Sequence, residues 1–394
     1  MLNEHKPGNH KGQRILYLQY TNPACYPPLE QSSRILAGAG WEVLFLGNGT
    51  LGDSNGLRFR NYPRIEVRQL RFHTAGWKQK LHYLWFCVWC LAWAMWWRPQ
   101  WVYASDLLAC PPALLLSWVP RLRIVYHEHD SPAPATGMFM RFCLWARRAC
   151  ARRASICVLP NRCRAERFEV ETRPRKPVKV VWNCPGLHEV PSITNGNPAS
   201  GLRVLYQGSI NSVRVPETIV EALALLPENV SLTVIGYETV GSQGYVKTIL
   251  GHAEQLGLQH RVRCLGAINR YDLMKTCATF DVGLALFPLI SDDKNLQAMT
   301  GASNKSFDYL ACGLPVLVSD LPDWHKMFVE TEYGLSCNPA EPFSIATALR
   351  WFYEHPEART LMGTRGRNRI LAEWNYETQF CPVFQKLGRD ELLP

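Results

Sequence analysis

Between Ser303 and Asp320 the chain reads SNKSFDYLACGLPVLVSD, the segment richest in residues whose type and spacing suit chemistry. Ser303 or Asn304 can cap the N-terminus of a helix. Lys305 then falls in the first helical turn, where the helix dipole disfavours a cation by about 0.3–1 kcal/mol. A cation fits there better when an anion docks on the same free N–H groups. Asp308, three residues on, lies one turn deeper on the same side, where a carboxylate can accept hydrogen bonds from ribose hydroxyls. Gly313 ends the helix, and Pro315 opens an apolar strand. An ordinary helix–strand unit with Lys305 and Asp308 solvated, or paired with each other, would fit the same residues.

Other chemistry-bearing residues sit at the ends of apolar runs. Leu205 to Ile210 (LYQGSI) runs into a turn at Gly208 and Ser209, with Arg214 six residues after the glycine. Backbone N–H groups of such a turn can approach phosphate. Leu232–Ile235 stops at Gly236, and Val262–Leu265 stops at Gly266 and Ala267. In the first half, Tyr126-His127-Glu128-His129-Asp130 ends a further run. A strand-end histidine can hydrogen-bond a hydroxyl or polarise a reacting centre. The spacing of His127 and His129 also suits two zinc ligands, but no third ligand has supporting spacing. The 14 cysteines match no metal pattern, and Cys87-x-x-Cys90 lies in an apolar helical run where packing explains it. The polar start, Met1 to Gln13, has no apolar signal region, so the thiols are read as reduced and the protein as cytoplasmic.

The elements that must position these residues alternate along the whole chain. Strands are expected at Arg14–Gln19, Trp41–Leu46, Trp101–Ala104, Arg121–His127, Ile156–Leu159 and Val178–Val181, with helices between. After a pause rich in Pro, Gly and Asn (Pro185, Gly186, Pro191, Asn195, Gly196, Asn197, Pro198, Gly201), alternation restarts. Strands follow at Arg203–Tyr206, Ser231–Ile235, Val262–Cys264, Asp281–Leu286 and Pro315–Ser319. The pattern implies an α/β protein of two doubly wound, Rossmann-like parallel-sheet domains. A length of 394 residues suits two such domains. The expected division is 1–190, 191–374 and a C-terminal segment 375–394 packing back on the first domain. Ligands of such sheets bind beyond the carboxyl ends of the strands, so the groove between the domains is the expected site.

Charge is uneven. Residues 1–195 carry 26 Lys and Arg against 12 Asp and Glu, while the remainder carries 17 against 21. A basic first half suits an anionic partner such as lipid or a phosphorylated substrate. Leu81 to Trp97 contains one polar residue, His82, and is slightly short for a bilayer span. It reads either as a core helix or as one that also dips into a membrane surface, because Trp favours the headgroup region. Lys78, Lys80 and Arg98 flank it, and Arg147, Arg148, Arg152 and Arg153 form a second basic cluster. The expectation is peripheral binding to the inner face of the cytoplasmic membrane. No nucleic-acid motif is present, and no nucleic-acid partner is expected.

The Ser303–Asp320 segment resembles the donor signature of the family 4 retaining glycosyltransferases (the glycosyl transferases group 1 superfamily), which ends in ACGLPV. Ala311 to Val316 match it, and the NKxFDYLAxGLPV form resembles a capsule and exopolysaccharide branch. Asp308 stands at the acidic residue that holds the ribose in relatives, while Thr300 replaces the family's other acidic residue. The Gly208–Arg214 loop is similar to the family's phosphate loop, with Ser209 where Arg is usual. Gly236, Leu265, Gly266 and Ala267 match segments near the base, and His129 and Asp130 match a loop facing the donor sugar. The resemblance implies a GT-B fold and hexose transfer, with retention, from a UDP- or GDP-sugar to a polysaccharide-precursor or lipid-linked acceptor. It implies no cofactor and no essential metal, with Arg214 and Lys305 offsetting leaving-group charge and His129 and Asp130 at the reacting centre. A nucleotide-sugar 2-epimerase is the alternative on the same fold, with Glu128 and Asp130 as its acid and base.

Overall fold

The computed structural model describes residues 12–192 and 201–389. The expected linker residues Asn195, Gly196, Asn197 and Pro198, and most of the polar start, lie outside the described residues. The chain divides into two compact units: Met1–Thr50, Phe59–Trp182 and Tyr376–Pro394 form one, and Leu51–Arg58 with Asn183–Asn375 form the other.

The first unit is built on β1 (Arg14–Gln19), β2 (Glu42–Asn48), β3 (Ile65–Leu70), β4 (Trp101–Ser105), β5 (Arg123–His127), β6 (Ile156–Leu159) and β7 (Lys179–Val180). Their order is β3-β2-β1-β4-β5-β6-β7, and the pairings are parallel. Side chains alternate between two cores, as a pleated strand requires. Leu16 and Leu18 of β1 join the core under α2 (Trp77–Trp97), α3 (Cys110–Leu116), α4 (Met138–Arg153) and α5 (Arg162–Thr172). Ile15 and Tyr17 join the opposite core, under α1 (Pro27–Gly38) and the last helix, Tyr376–Arg389. Burial of both faces explains why these strands read as nearly continuous apolar runs.

The second unit repeats the plan with β8 (Leu202–Ile210), β9 (Val230–Glu238), β10 (Val262–Leu265), β11 (Val282–Ala285), β12 (Val316–Ser319) and β13 (Gly334–Cys337). The order is β10-β9-β8-β11-β12-β13, again with parallel pairings. Around it lie α6 (Thr218–Ala224), α7 (Tyr245–Gln255), α8 (Arg270–Cys277) and α9 (Asn304–Ala311). In each sheet the order reverses at one place, beside β1 and β4 in the first and β8 and β11 in the second. Such switch points are where doubly wound sheets bind ligands.

The structure shifts some expected boundaries. The unit division falls at Trp182/Asn183 rather than at 190, because Asn183 bonds through its backbone N–H to Gly301 O (2.7 Å) and through Nδ2 to Ala302 O (2.8 Å). The segment Leu51–Arg58 leaves the first half of the sequence and joins the second unit. The edge strands β3 and β13 were not expected. Among β3's six residues, IEVRQL, only three are apolar, and none is fully buried.

Arg147 also departs from the sequence reading. It is not part of a solvated basic face but is 3% exposed, with Nε 2.5 Å from Glu128 Oε2 and Nη2 2.8 Å from Oε1. The Tyr126 hydroxyl donates to the same Glu128 carboxylate at 2.6 Å, and Arg147 Nη1 reaches Glu171 at 2.9 Å. Removing one partner of a buried pair leaves an uncompensated charge, at roughly 3–5 kcal/mol. Urea denaturation should therefore show Arg147→Ala destabilised by about that much. The charge-free pair Glu128→Gln with Arg147→Met should recover most of the loss.

Candidate functional site

At the switch point of the second sheet, Gly208 and Ser209 lie in the last three residues of β8. Gly208 has φ +123°, and a Cβ there would lie 2.9 Å from Lys305 Cε. Its register partner, Gly236, has φ +156°, and a Cβ there would sit 1.7 Å from Gly208 O. A side chain at Gly208 would therefore press on the Lys305 stem, and one at Gly236 would strike the Gly208 backbone.

Helix α9 is fixed against the sheet by Tyr309. Its hydroxyl accepts from Gln207 N at 2.8 Å, and its ring fills the space that a side chain on Gly283 of β11 would need. This packing brings the first turn of α9 beside the end of β8. Ser303 is the residue before the helix and has extended dihedrals, but its side chain makes no capping bond. The expected side-chain cap from Ser303 is thus absent. Ser303 Oγ, Asn304 Oδ1 and Ser306 Oγ are buried with no hydrogen-bond partner among the described residues. Buried polar groups are normally satisfied, so three such atoms in one turn mark a place for a polar ligand.

Two cations meet at this place. Lys305 Nζ lies 5.8 Å from the centre of the Phe287 ring, and the Arg214 guanidinium carbon lies 6.0 Å from the same centre. Arg214 also donates to Ser209 Oγ, so the end of β8 orients it. The aromatic ring attracts both cations. It does not cancel their mutual repulsion, which an anion between them would.

Asp308 differs from its expected part. It is 0% exposed, and both its oxygens accept from Arg270, at 2.6 Å each. Gln207 Nε2 donates to it at 3.0 Å. Arg270 in turn grips Glu189 at 2.9 and 3.0 Å. Burial works against the charge on Arg270, but Asp308 and Glu189 outweigh it and raise its pKa. With its oxygens taken by Arg270 and Gln207, Asp308 here holds Arg270 and the root of α9. Arg270 carried the same signal that singled out Lys305, a cation at a helix start, and could have been found by it.

Gly236, Leu265 and Gly266 line a cavity of about 570 Å³ together with Lys247, Leu51 and Gly52. That volume lies within the range of small-ligand sites. Ala267 follows Gly266 and is half-buried.

The first unit has its own cluster at the end of β5. His129 is 5% exposed, and neither ring nitrogen has a hydrogen-bond partner among the described residues. Its ring lies 3.9 Å from that of His127 and 5.2 Å from that of Tyr26. Asp130 is exposed and stands 3.3 Å from Arg164 Nη1. Asp106, not singled out in the sequence, accepts from the His129 backbone N–H at 2.8 Å from a residue with φ +65°. Burial, with Asp130 nearby, pushes the Asp106 pKa up to about 7. Glu128 is committed to Arg147 and Tyr126, which deprives the epimerase reading of one of its two carboxylates. Among the described residues, no group of three His, Cys, Asp or Glu side chains could hold a metal ion.

The two units are thus Rossmann-like parallel-sheet domains, and in the second Lys305 and Arg214 both lie beside the Phe287 ring. The family described as glycosyl transferases group 1 matches residues 194–369, and that described as glycosyl transferase 4-like domain matches residues 29–184. The chain belongs to the group 1 glycosyltransferases of the GT-B fold. Among solved structures it is similar to HepE from Anabaena in complex with UDP, with 18% identity and a TM-score of 0.68 over 96% of this chain and 100% of that one. It is also similar to sucrose-phosphate synthase from Thermosynechococcus elongatus, with 17% identity and a TM-score of 0.68 over 96% of this chain and 98% of that one. WaaG, a glycosyltransferase of lipopolysaccharide biosynthesis, aligns with 15% identity and a TM-score of 0.65 over 95% of this chain and 100% of that one. No curated protein sequence matches.

Burial lowers the His129 pKa to about 4, so the native ring stays neutral well below the ordinary value. The unfolded chain binds that proton below about 6.5, and the native state binds it only below its lowered value. Stability therefore falls as pH drops through this window, by roughly 3 kcal/mol for this one group. In urea titrations at stepped pH, His129→Asn should lose stability less steeply than the parent between about pH 6.5 and 4. An equal slope would show the ring to be solvated.

Proposed function

We propose that this transferase moves a hexose from UDP-hexose to a polysaccharide-precursor or lipid-linked acceptor, with retention, at the inner face of the cytoplasmic membrane. The observation that carries the donor half is the convergence of Lys305 and Arg214 on the Phe287 ring beside the uncapped first turn of α9. A diphosphate placed there would meet both cations at the positive end of the helix dipole. Charge that develops on the departing nucleotide would be offset by donors already in place, with no metal required. Ser303, Asn304 and Ser306 would supply polar contacts to the same group, and Gly208 keeps room for it.

The base would occupy the cavity at Gly236, Leu265, Gly266 and Ala267. UDP is favoured over GDP because the structurally similar HepE was solved with UDP and with UDP-glucose. The neutral ring of His129 suits a hydrogen bond to a hexose hydroxyl, and Asp130 is the exposed carboxylate beside it. The free cysteines and the basic first half fit a reducing compartment and an anionic acceptor.

Thermal unfolding with UDP, GDP, ADP and TDP tests the donor assignment, since a ligand of the folded state raises its midpoint. UDP should give the largest rise. Lys305→Ala and Arg214→Ala should each abolish that rise and slow turnover by about 100-fold, with unchanged circular dichroism. Near-normal kinetics in both variants would overturn the phosphate assignment.

A further inference from the structure

Helix α2 has an apolar core side, with Tyr83, Phe86, Cys87, Cys90 and Ala94 buried against the first sheet. Its outer side is apolar as well. Leu81, Leu84, Trp85, Val88, Met95 and Trp96 are all exposed, with Trp96 at 73% and Leu84 at 61%. Leu81 to Val88 recur every three or four residues, and exposed Ala92 carries the stripe on to Met95 and Trp96. The outward side of a helix in water is ordinarily polar, so this stripe has no role in the unit's own core.

The stripe continues onto the neighbouring helix. Met138, Phe139, Phe142 and Trp145 of α4 are exposed at helical spacing, with Met138 at 86%. The Phe139 ring meets the α2 ring of Tyr83 at 5.2 Å, which joins the two helices in one layer. Trp118, just after α3, is 55% exposed and lies under the Arg153 guanidinium.

The charge on the two helices themselves has one sign. Neither α2 nor α4 contains an acidic residue. Lys78, Lys80, Arg141, Arg148, Arg152 and Arg153 are exposed along them. Arg147 faces inward and takes no part.

We propose that the outer faces of α2 and α4 dock on a bilayer containing anionic phospholipid, with Trp85, Trp96 and Trp145 seated at headgroup depth and the cations on lipid phosphates. This deepens the reading above by naming the surface that would bring the site to a lipid-linked acceptor. Tryptophan mixed with aliphatic side chains suits the headgroup boundary, and Lys and Arg suit a negative surface. The helix lies on the membrane rather than through it, since no helix among the described residues is long and apolar enough to cross. A second copy of the chain would present the same cations to itself, so charge favours lipid over self-association.

Flotation of the full-length protein with vesicles tests this. Phosphatidylcholine vesicles containing phosphatidylglycerol should carry the protein at low salt, pure phosphatidylcholine vesicles several-fold less, and salt should weaken binding. Trp85→Ser with Trp96→Ser should reduce flotation at least tenfold, as should Arg148→Glu with Arg152→Glu. Both double variants should keep the parent's thermal midpoint and its rise with UDP. That separates this inference from the donor assignment, because a missing rise in the parent would sink only the latter. No flotation of the parent with anionic vesicles would overturn the docking surface, as would undiminished flotation of both variants. So would a parent that is dimeric in sizing while Trp85→Ser with Trp96→Ser is monomeric.

Discussion

The second unit is tied together by a buried guanidinium. Arg270 lies between Asp308 and Glu189, and Asp308 also receives Gln207. These contacts fasten the start of α8, the middle of α9, the end of β8 and the segment leading into the second unit. Without Arg270 two buried carboxylates would face each other across a medium of low polarity, which is among the costlier arrangements a fold can hold. With it, the root of α9 is set, and the first turn of that helix comes to rest beside Gly208.

The cationic turn follows from this. Lys305 stands where the helix dipole repels it, and its stem runs through space left by a glycine. Arg214 approaches the same ring from the turn after β8. The two like charges repel one another. The diphosphate proposed above would offset that repulsion as it binds. In the first unit the logic is opposite. The His129 ring is buried and kept neutral, a state that hydrogen-bonds a hydroxyl without introducing charge.

Much of this was legible from residue order. The strands β1 and β6 fall where apolar runs were bounded by turn residues, and β8 to β12 lie within a few residues of their expected places. The helix starts at Lys305 and Arg270 both carry the same electrostatic anomaly. What could not be read were the edge strands β3 and β13, whose pairing depends on a neighbour rather than on their own hydrophobicity. Arg147 was equally opaque, because a basic helix residue looks the same in sequence whether it meets water or a buried glutamate.

The sequence by itself determined two parallel α/β units, the ends of strands at which polar residues gather, and the family signature around ACGLPV. These are local properties, set by periodicity, by glycine and proline, and by motif order. Only the tertiary structure decided that Asp308 pairs with Arg270, that Arg214 and Lys305 share one ring, and that the outer faces of α2 and α4 stay uncovered. The physical reason is that a charge takes its role from whatever lies within a few ångströms, and those neighbours come from strands and helices far apart along the chain.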